Sequence, residues 1–339
     1  MQVDPLAIKK ILIIQFRPFG DVLLATSYLA ALKEKIPHAK IDFLVKQPFQ
    51  EILYNNPFIN EVIIIGHQKG LSYLLARFNL FFSINKKKYD LIIDQQKGAG
   101  SGQVVLFSGA QYKLGWADSK WQAGYNLKAV RGPVRYRASQ NFDMLKPLGV
   151  KERSFELFYH VNFSSKDYIN TWLNTQDLGK QKFICISPGS PRTRKKWGIQ
   201  YYAELINLLI QKTSDQKTSE KIVILWAPSE FEDAKALMGS GKEKELVLAP
   251  PTTFNQAAAL LKKSKLLICN DGGLNHLAVA LKTPSLAIFG NTSSNVWSPE
   301  GLIPGHYHIS NPDWQRMTDN SFGVRPDRVF DKIKNILEP

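Results

Sequence analysis

Short runs of β-branched and aliphatic residues recur along the chain, and between them the apolar positions switch to a spacing of three and four. "KKILIIQF" (9–16), "AKIDFLV" (39–45), "NEVIII" (60–65) and "YDLIIDQ" (89–95) read as buried strands. "DVLLATSYLAALKEK" (21–35) reads as an amphipathic helix between the first two. Apolar strands alternating with such helices predict a parallel sheet covered on both faces.

The rhythm lapses between about residues 116 and 180. There "SKWQAGYNLKAVRGPVRYRASQ" (119–140) looks like loop, and "SSKDYINTWLNTQDLGKQK" (164–182) looks like a helix with a Ser N-cap. It then restarts with "KFICISPGS" (182–190), "KIVILWAPS" (221–229), "KELVLAP" (244–250), "KLLICNDGG" (265–273) and "PSLAIFG" (284–290). Two strand series predict an α/β chain of two Rossmann-like, doubly wound domains facing a cleft. Their bounds are set at 1–160 and 161–318, with 319–339 as a terminal helix that is a candidate to pack back on the N-terminal domain. In that helix, "RPDRVFDKIKNIL" (325–337), the proline falls in the first turn. "KTSDQKTSEK" (212–221) reads as a polar surface connection.

Composition narrows the class. A length of 339 residues with 44% apolar content allows a core in each of two domains. The two cysteines, Cys185 and Cys269, each fall inside a predicted strand, which suits reduced core thiols in the cytoplasm. No CxxC or HExxH spacing offers a metal site, and the N-terminus has no secretory leader pattern. The net charge is +15, of which residues 1–160 carry +10 (22 Lys and Arg against 12 Asp and Glu). A basic N-terminal half implies an acidic partner. A nucleic-acid partner rests on this charge alone, since no basic-aromatic recognition pattern is present, and none is expected. "GLSYLLARFNLFFSINKKK" (70–88) is too short and too interrupted to span a membrane. Flanked by Lys69, Arg77, Lys86, Lys87 and Lys88, it fits a headgroup-level segment and a core-facing helix equally well.

Three strand-end loops carry candidate chemistry, because an open parallel sheet binds its ligand there. "RPFGDVL" (17–23) has one glycine and no GxGxxG, so it does not read as a pyrophosphate cradle, and a nicotinamide enzyme is disfavoured. Asp21 reads either as an ordinary first-turn helix residue or as a general base. "SPGSPRTRKKWG" (187–198) places Arg192, Arg194, Lys195 and Lys196 beside Gly189 and Ser190, a cationic turn suited to a phosphoryl group. In "CNDGGLNH" (269–276), Asp271, Gly272 and Gly273 open a helix whose free N–H groups can take a phosphate, with His276 nearby. Together the last two loops predict a nucleotide-diphosphate site in the C-terminal half.

These stretches, with "NNPFINEVI" (55–63), "YKLGW" (112–116) and "FGNTSSNVWSPEG" (289–301), resemble the bacterial ADP-heptose:lipopolysaccharide heptosyltransferases of glycosyltransferase family nine over most of the chain. The resemblance implies a GT-B fold and an inverting, metal-independent transfer of heptose from ADP-heptose to a lipopolysaccharide inner-core acceptor. It implies no cofactor, a cytoplasmic enzyme, a phosphorylated lipid or glycan acceptor, and peripheral contact with an anionic inner membrane. By matching motifs, Asp21 takes the general-base position and Lys195 the diphosphate position. Asp271 is set at heptose hydroxyls, Gly272, Gly273, His276 and Ser190 at phosphate, and Glu230 at the ribose. Arg17, Lys69 and Lys97 are assigned to the acceptor. Arg17, Pro18 and Phe19 stand where the family usually carries small polar residues. A relative using another nucleotide sugar, or a glycan or protein acceptor, is the alternative.

Overall fold

The computed structural model describes residues 3–66, 70–179, 182–215, 221–239 and 245–338, and these form two compact units, Met1–His160 and Val161–Pro339. Lys69 and residues 216–220 of the 212–221 connection lie outside the described residues, while 212–215 end the helix Ile199–Asp215.

The first unit holds six parallel strands: β1 (Lys10–Gln15), β2 (Lys40–Lys46), β3 (Glu61–Ile65), β4 (Leu91–Asp94), β5 (Tyr112–Trp116) and β6 (Leu127–Ala129). Their order is β3-β2-β1-β4-β5-β6. The central strands β1 and β4 are buried along almost their whole length, which is why their sequences are continuous apolar runs rather than alternating ones. Since the chain builds outward from β1 in both directions, β1 and β4 flank the point where strand order reverses. Ile14 lies opposite Asp94 there, so the loops after these two strands emerge side by side.

The second unit repeats the plan with β7 (Phe183–Ser187), β8 (Lys221–Ile224), β9 (Leu246–Leu248), β10 (Leu266–Asn270), β11 (Ser285–Phe289) and β12 (His306–Ser310), in the order β12-β11-β10-β7-β8-β9. Its reversal point lies between β7 and β10, with Ser187 opposite Cys269. Cys185 and Cys269 are buried free thiols in these two strands, and burial pushes Cys185 up to about 12.

Four expectations change. The segment 119–140 is not all loop: it supplies β6, which closes the sheet edge against β5. The predicted helix over 21–35 is two helices, Phe19–Leu24 and Leu29–Lys35. The break falls where Thr26 Oγ1 donates to Leu23 O (2.6 Å) and Ser27 Oγ donates to Ala138 O (2.8 Å), hydroxyls competing with the helix for backbone partners. The helix Phe163–Thr175 is capped by Asn162, whose side chain accepts from Ser165 N, and not by a serine. Finally, the terminal helix Pro326–Leu337 joins the core of the second unit. Val329 and Ile333 pack in one cluster with Trp197, and Trp197 Nε1 donates to Val324 O (3.0 Å).

Candidate active site

In the second unit, the loops after β7 and β10 are tied together by Asn270, the last residue of β10. Its Nδ2 donates to Pro188 O (2.8 Å) and Gly189 O (3.0 Å), and its Oδ1 accepts from Trp197 N (2.9 Å). One buried side chain thus sets the path of residues 188–197 before any ligand arrives. The next residue, Asp271, has a side chain only 2% exposed. Its carboxylate takes a charge-assisted bond from Lys195 Nζ (2.5 Å) and a second bond from Thr292 Oγ1 (2.7 Å).

Lys195 therefore projects from the short 3-10 turn Thr193–Lys195 onto the end of the neighbouring strand. The Trp297 ring lies 5.9 Å from its Nζ and 6.0 Å from the His276 ring. His276 is buried in the helix Gly273–Leu281, and burial pushes it down to about 4, against the pull of Asp271 and with the push of Lys195. It is a neutral ring at pH 7. The N-cap of that helix is Gly272, which puts no side chain of its own on the first N–H groups, an N-terminus of the kind that suits a phosphate.

Ser190 and Glu230 sit at the outer side of this region. Ser190 Oγ accepts from Arg192 N (3.3 Å). Glu230 Oε2 accepts from Ala227 N (3.2 Å), and burial raises its carboxyl above the usual carboxylate range. Its carboxylate lies against Gly189: a Cβ on that glycine would fall 1.9 Å from Glu230 Cδ. Lys196 is directed away to Asp233. Lys195, Asp271, Gly272, Gly273 and His276 are thus one constellation, with Ser190 and Glu230 beside it.

In the first unit Asp21 is the third residue of the helix Phe19–Leu24, at the end of β1. Arg17 Nη1 stands 3.6 Å from its carboxylate. Two further guanidiniums share this field. Burial lowers Arg137, with Asp21 opposing and Arg17 adding to the shift, and burial brings Arg131 to about 10, helped by Arg137 and Arg17. Arg131 also stacks 3.8 Å from the centre of the Trp116 ring. Lys97, after β4, is paired with Asp118. The Asp21 loop is positioned from below by Gln15, whose Oε1 accepts from Arg17 N (3.2 Å) and from Gln96 Nε2, while its own Nε2 donates to Gln95 (3.1 Å).

Sequence reading missed Asn270, Thr292, Trp297, Arg131 and Arg137 as site residues. Thr292 and Trp297 lay within a stretch that carried the resemblance, whereas the two arginines lay in a segment without periodicity. Among the described residues no cluster of three His, Cys, Asp or Glu is arranged to hold a metal ion.

Two parallel six-stranded units, with a Lys–Asp constellation at one strand-order reversal and a carboxylate among arginines at the other, have the plan of a GT-B glycosyltransferase. Residues 77–316 match the family described as glycosyltransferase family 9 (heptosyltransferase), and the chain belongs to that family. It is 24% identical to lipopolysaccharide heptosyltransferase 2 of Salmonella typhimurium, over 97% of this chain and 98% of that one. A family 9 glycosyltransferase from Veillonella parvula superposes with a TM-score of 0.84 at 19% identity, covering 97% of each chain. An E. coli heptosyltransferase with ADP-2-deoxy-2-fluoro heptose superposes with a TM-score of 0.74 at 22% identity, covering 96% of this chain and 99% of that one.

Proposed function

We propose that this glycosyltransferase moves a heptose from ADP-heptose to a lipopolysaccharide inner-core acceptor, with inversion at the anomeric carbon and without a metal ion. The observation that carries the reading is the Lys195–Asp271–Thr292 group beside the glycine-capped N-terminus of the helix Gly273–Leu281. A diphosphate seated there meets Lys195 and the helix N-terminus, which supply the positive charge that ADP needs as it departs. Asp271 holds Lys195 in place and offers its remaining lone pairs to sugar hydroxyls. His276, neutral and buried, contributes one N–H at most.

Asp21 takes the proton of the acceptor hydroxyl as that oxygen bonds to the anomeric carbon and the bond to the ADP oxygen breaks. The field of Arg17, Arg131 and Arg137 around it suits an acceptor bearing phosphate or carboxylate groups. The donor sugar proposed is supported by relatives named as lipopolysaccharide heptosyltransferases and by a structural neighbour named with an ADP-heptose analogue. Two buried free thiols suit a reducing compartment, and we place the reaction in the cytoplasm.

Titration with ADP, UDP and GDP in EDTA, followed by a transfer assay with ADP-heptose, tests the reading. Selective ADP binding without metal and heptosyl transfer support it; preference for another nucleotide replaces the donor. Asp21→Asn is expected to bind ADP normally and to lose transfer by at least about a hundredfold; retained turnover removes Asp21 as the base.

A further inference from the structure

The helix Gly70–Lys87 presents large apolar side chains outward. Leu74, Leu75, Phe78 and Phe82 are 60–69% exposed, and at about 100° per residue they fall within an arc of roughly 100°. The helix is held to the sheet by its other side, where Ile84 is buried and Leu80 partly buried, with Phe81 partly buried at the margin of the outward arc. Arg77 clamps it further: its Nη2 donates to Gly100 O (2.9 Å) and Gln103 Oε1 (2.8 Å), and its guanidinium lies 4.9 Å from the Phe81 ring centre. The outward face continues onto the adjoining helix Ala99–Phe107, where Leu106 and Phe107 are also exposed and the Phe81 and Phe107 rings are 5.2 Å apart.

A contiguous exposed apolar face of this kind marks an interaction surface. Its charge identifies the occupant. Neither helix contains an Asp or Glu, while Lys86 and Lys88 are exposed at the end of the face with no ion-pair partner among the described residues. Lys87, by contrast, is paired with Glu61 (2.5 Å). A second copy packed face to face would bring like charges together with no carboxylate to meet them. An anionic bilayer surface offers an apolar layer to Leu74, Leu75, Phe78 and Phe82 and negative headgroups to the two lysines.

We infer that the helix Gly70–Lys87, extended by Leu106 and Phe107, is the face by which this protein lies on anionic lipid bilayers. It lies in the plane of the surface: no helix among the described residues is long and apolar enough to cross. A methyl group at Gly100 would touch both Arg77 Nη1 (3.8 Å) and Phe16 Cε2 (3.9 Å), so the start of the adjoining helix lies near the end of β1.

The test uses the full chain with vesicles containing phosphatidylglycerol and with vesicles of phosphatidylcholine alone, read by flotation, and does not depend on which sugar is transferred. The wild type is expected to float with the anionic vesicles only, and to be released by salt. Lys86→Gln with Lys88→Gln is expected to weaken partition about tenfold, and Phe78→Ser with Phe82→Ser by at least about tenfold. Leu74→Gln with Leu75→Gln reads the same face if the aromatic variant misfolds. A wild type that stays off anionic vesicles, or variants that float as it does, overturns the inference. So does a wild-type dimer that the aromatic substitutions dissolve without any vesicle binding, which would assign the face to a second copy.

Discussion

Asn270 joins three backbone groups that are 73 to 82 residues away in sequence, and no local pattern announces such a residue. Asn270→Ala would leave two carbonyls and one N–H without their partner. It is expected to lower stability by roughly 2–4 kcal/mol and to weaken ADP binding, measured by urea unfolding and by titration. Asp271 and Lys195 were legible as candidates because each stands at a strand end in a distinctive motif; that they bond to each other was not, because 76 residues separate them. A further residue-level consequence concerns acid. His306 is buried with Ser285 Oγ 3.0 Å from its Nδ1, and burial pushes it down to about 4. Between its ordinary value near 6.5 and about 4, the unfolded chain takes up a proton that the folded chain refuses. Its contribution is thus complete above about pH 6.5 and is lost as pH falls towards 4, by up to about 3 kcal/mol. Urea midpoints compared at neutral and mildly acid pH should show this fall, and His306→Gln should flatten it. His276, shifted the same way, retains its own share.

At the level of elements, the buried strands were the most readable parts, since continuous apolar runs have few other uses. The edge strands β6 and β12 were not, because short half-buried strands with lysine or histidine lack that signature. The helix Gly70–Lys87 was seen as apolar, but its sequence is rich in large side chains on more than one side, so periodicity did not say which face turned outward. Loop packing adds a test. With Gly189 pressed on the Glu230 carboxylate, Gly189→Ala must displace that side chain. Because the methyl meets only the far end of a flexible side chain, a stability loss of no more than about 1 kcal/mol is expected, with weaker nucleotide binding as the larger effect. In the double variant Gly189→Ala, Glu230→Ala the stability loss should shrink; an additive result in thermal melts would show that the glutamate is not what the methyl meets.

Over the whole molecule, each unit completes the same strand order by itself, and the constellation proposed to hold the donor lies within residues 189–297 of the second. ADP at about a hundred times its dissociation constant should stabilise the protein by about 2.7 kcal/mol. Hydrogen exchange should locate the protection at the loops after β7 and β10 and in the helix Gly273–Leu281. Protection centred on the Asp21 loop would move the nucleotide to the other unit. The domain plan was readable because the strand series stops and restarts. The cationic field around Asp21 was not, since it is assembled from residues 17, 131 and 137, which meet only when the first sheet closes.

With the donor seated as proposed, the bond between Lys195 and Asp271 would also select among anions. An arriving anion must compete with a buried carboxylate already in place, so charge alone is a poor credential. Inorganic phosphate brings little else, whereas a nucleoside diphosphate adds a ribose and a base. The proposed donor site should therefore respond to millimolar phosphate far less than an unpaired lysine would.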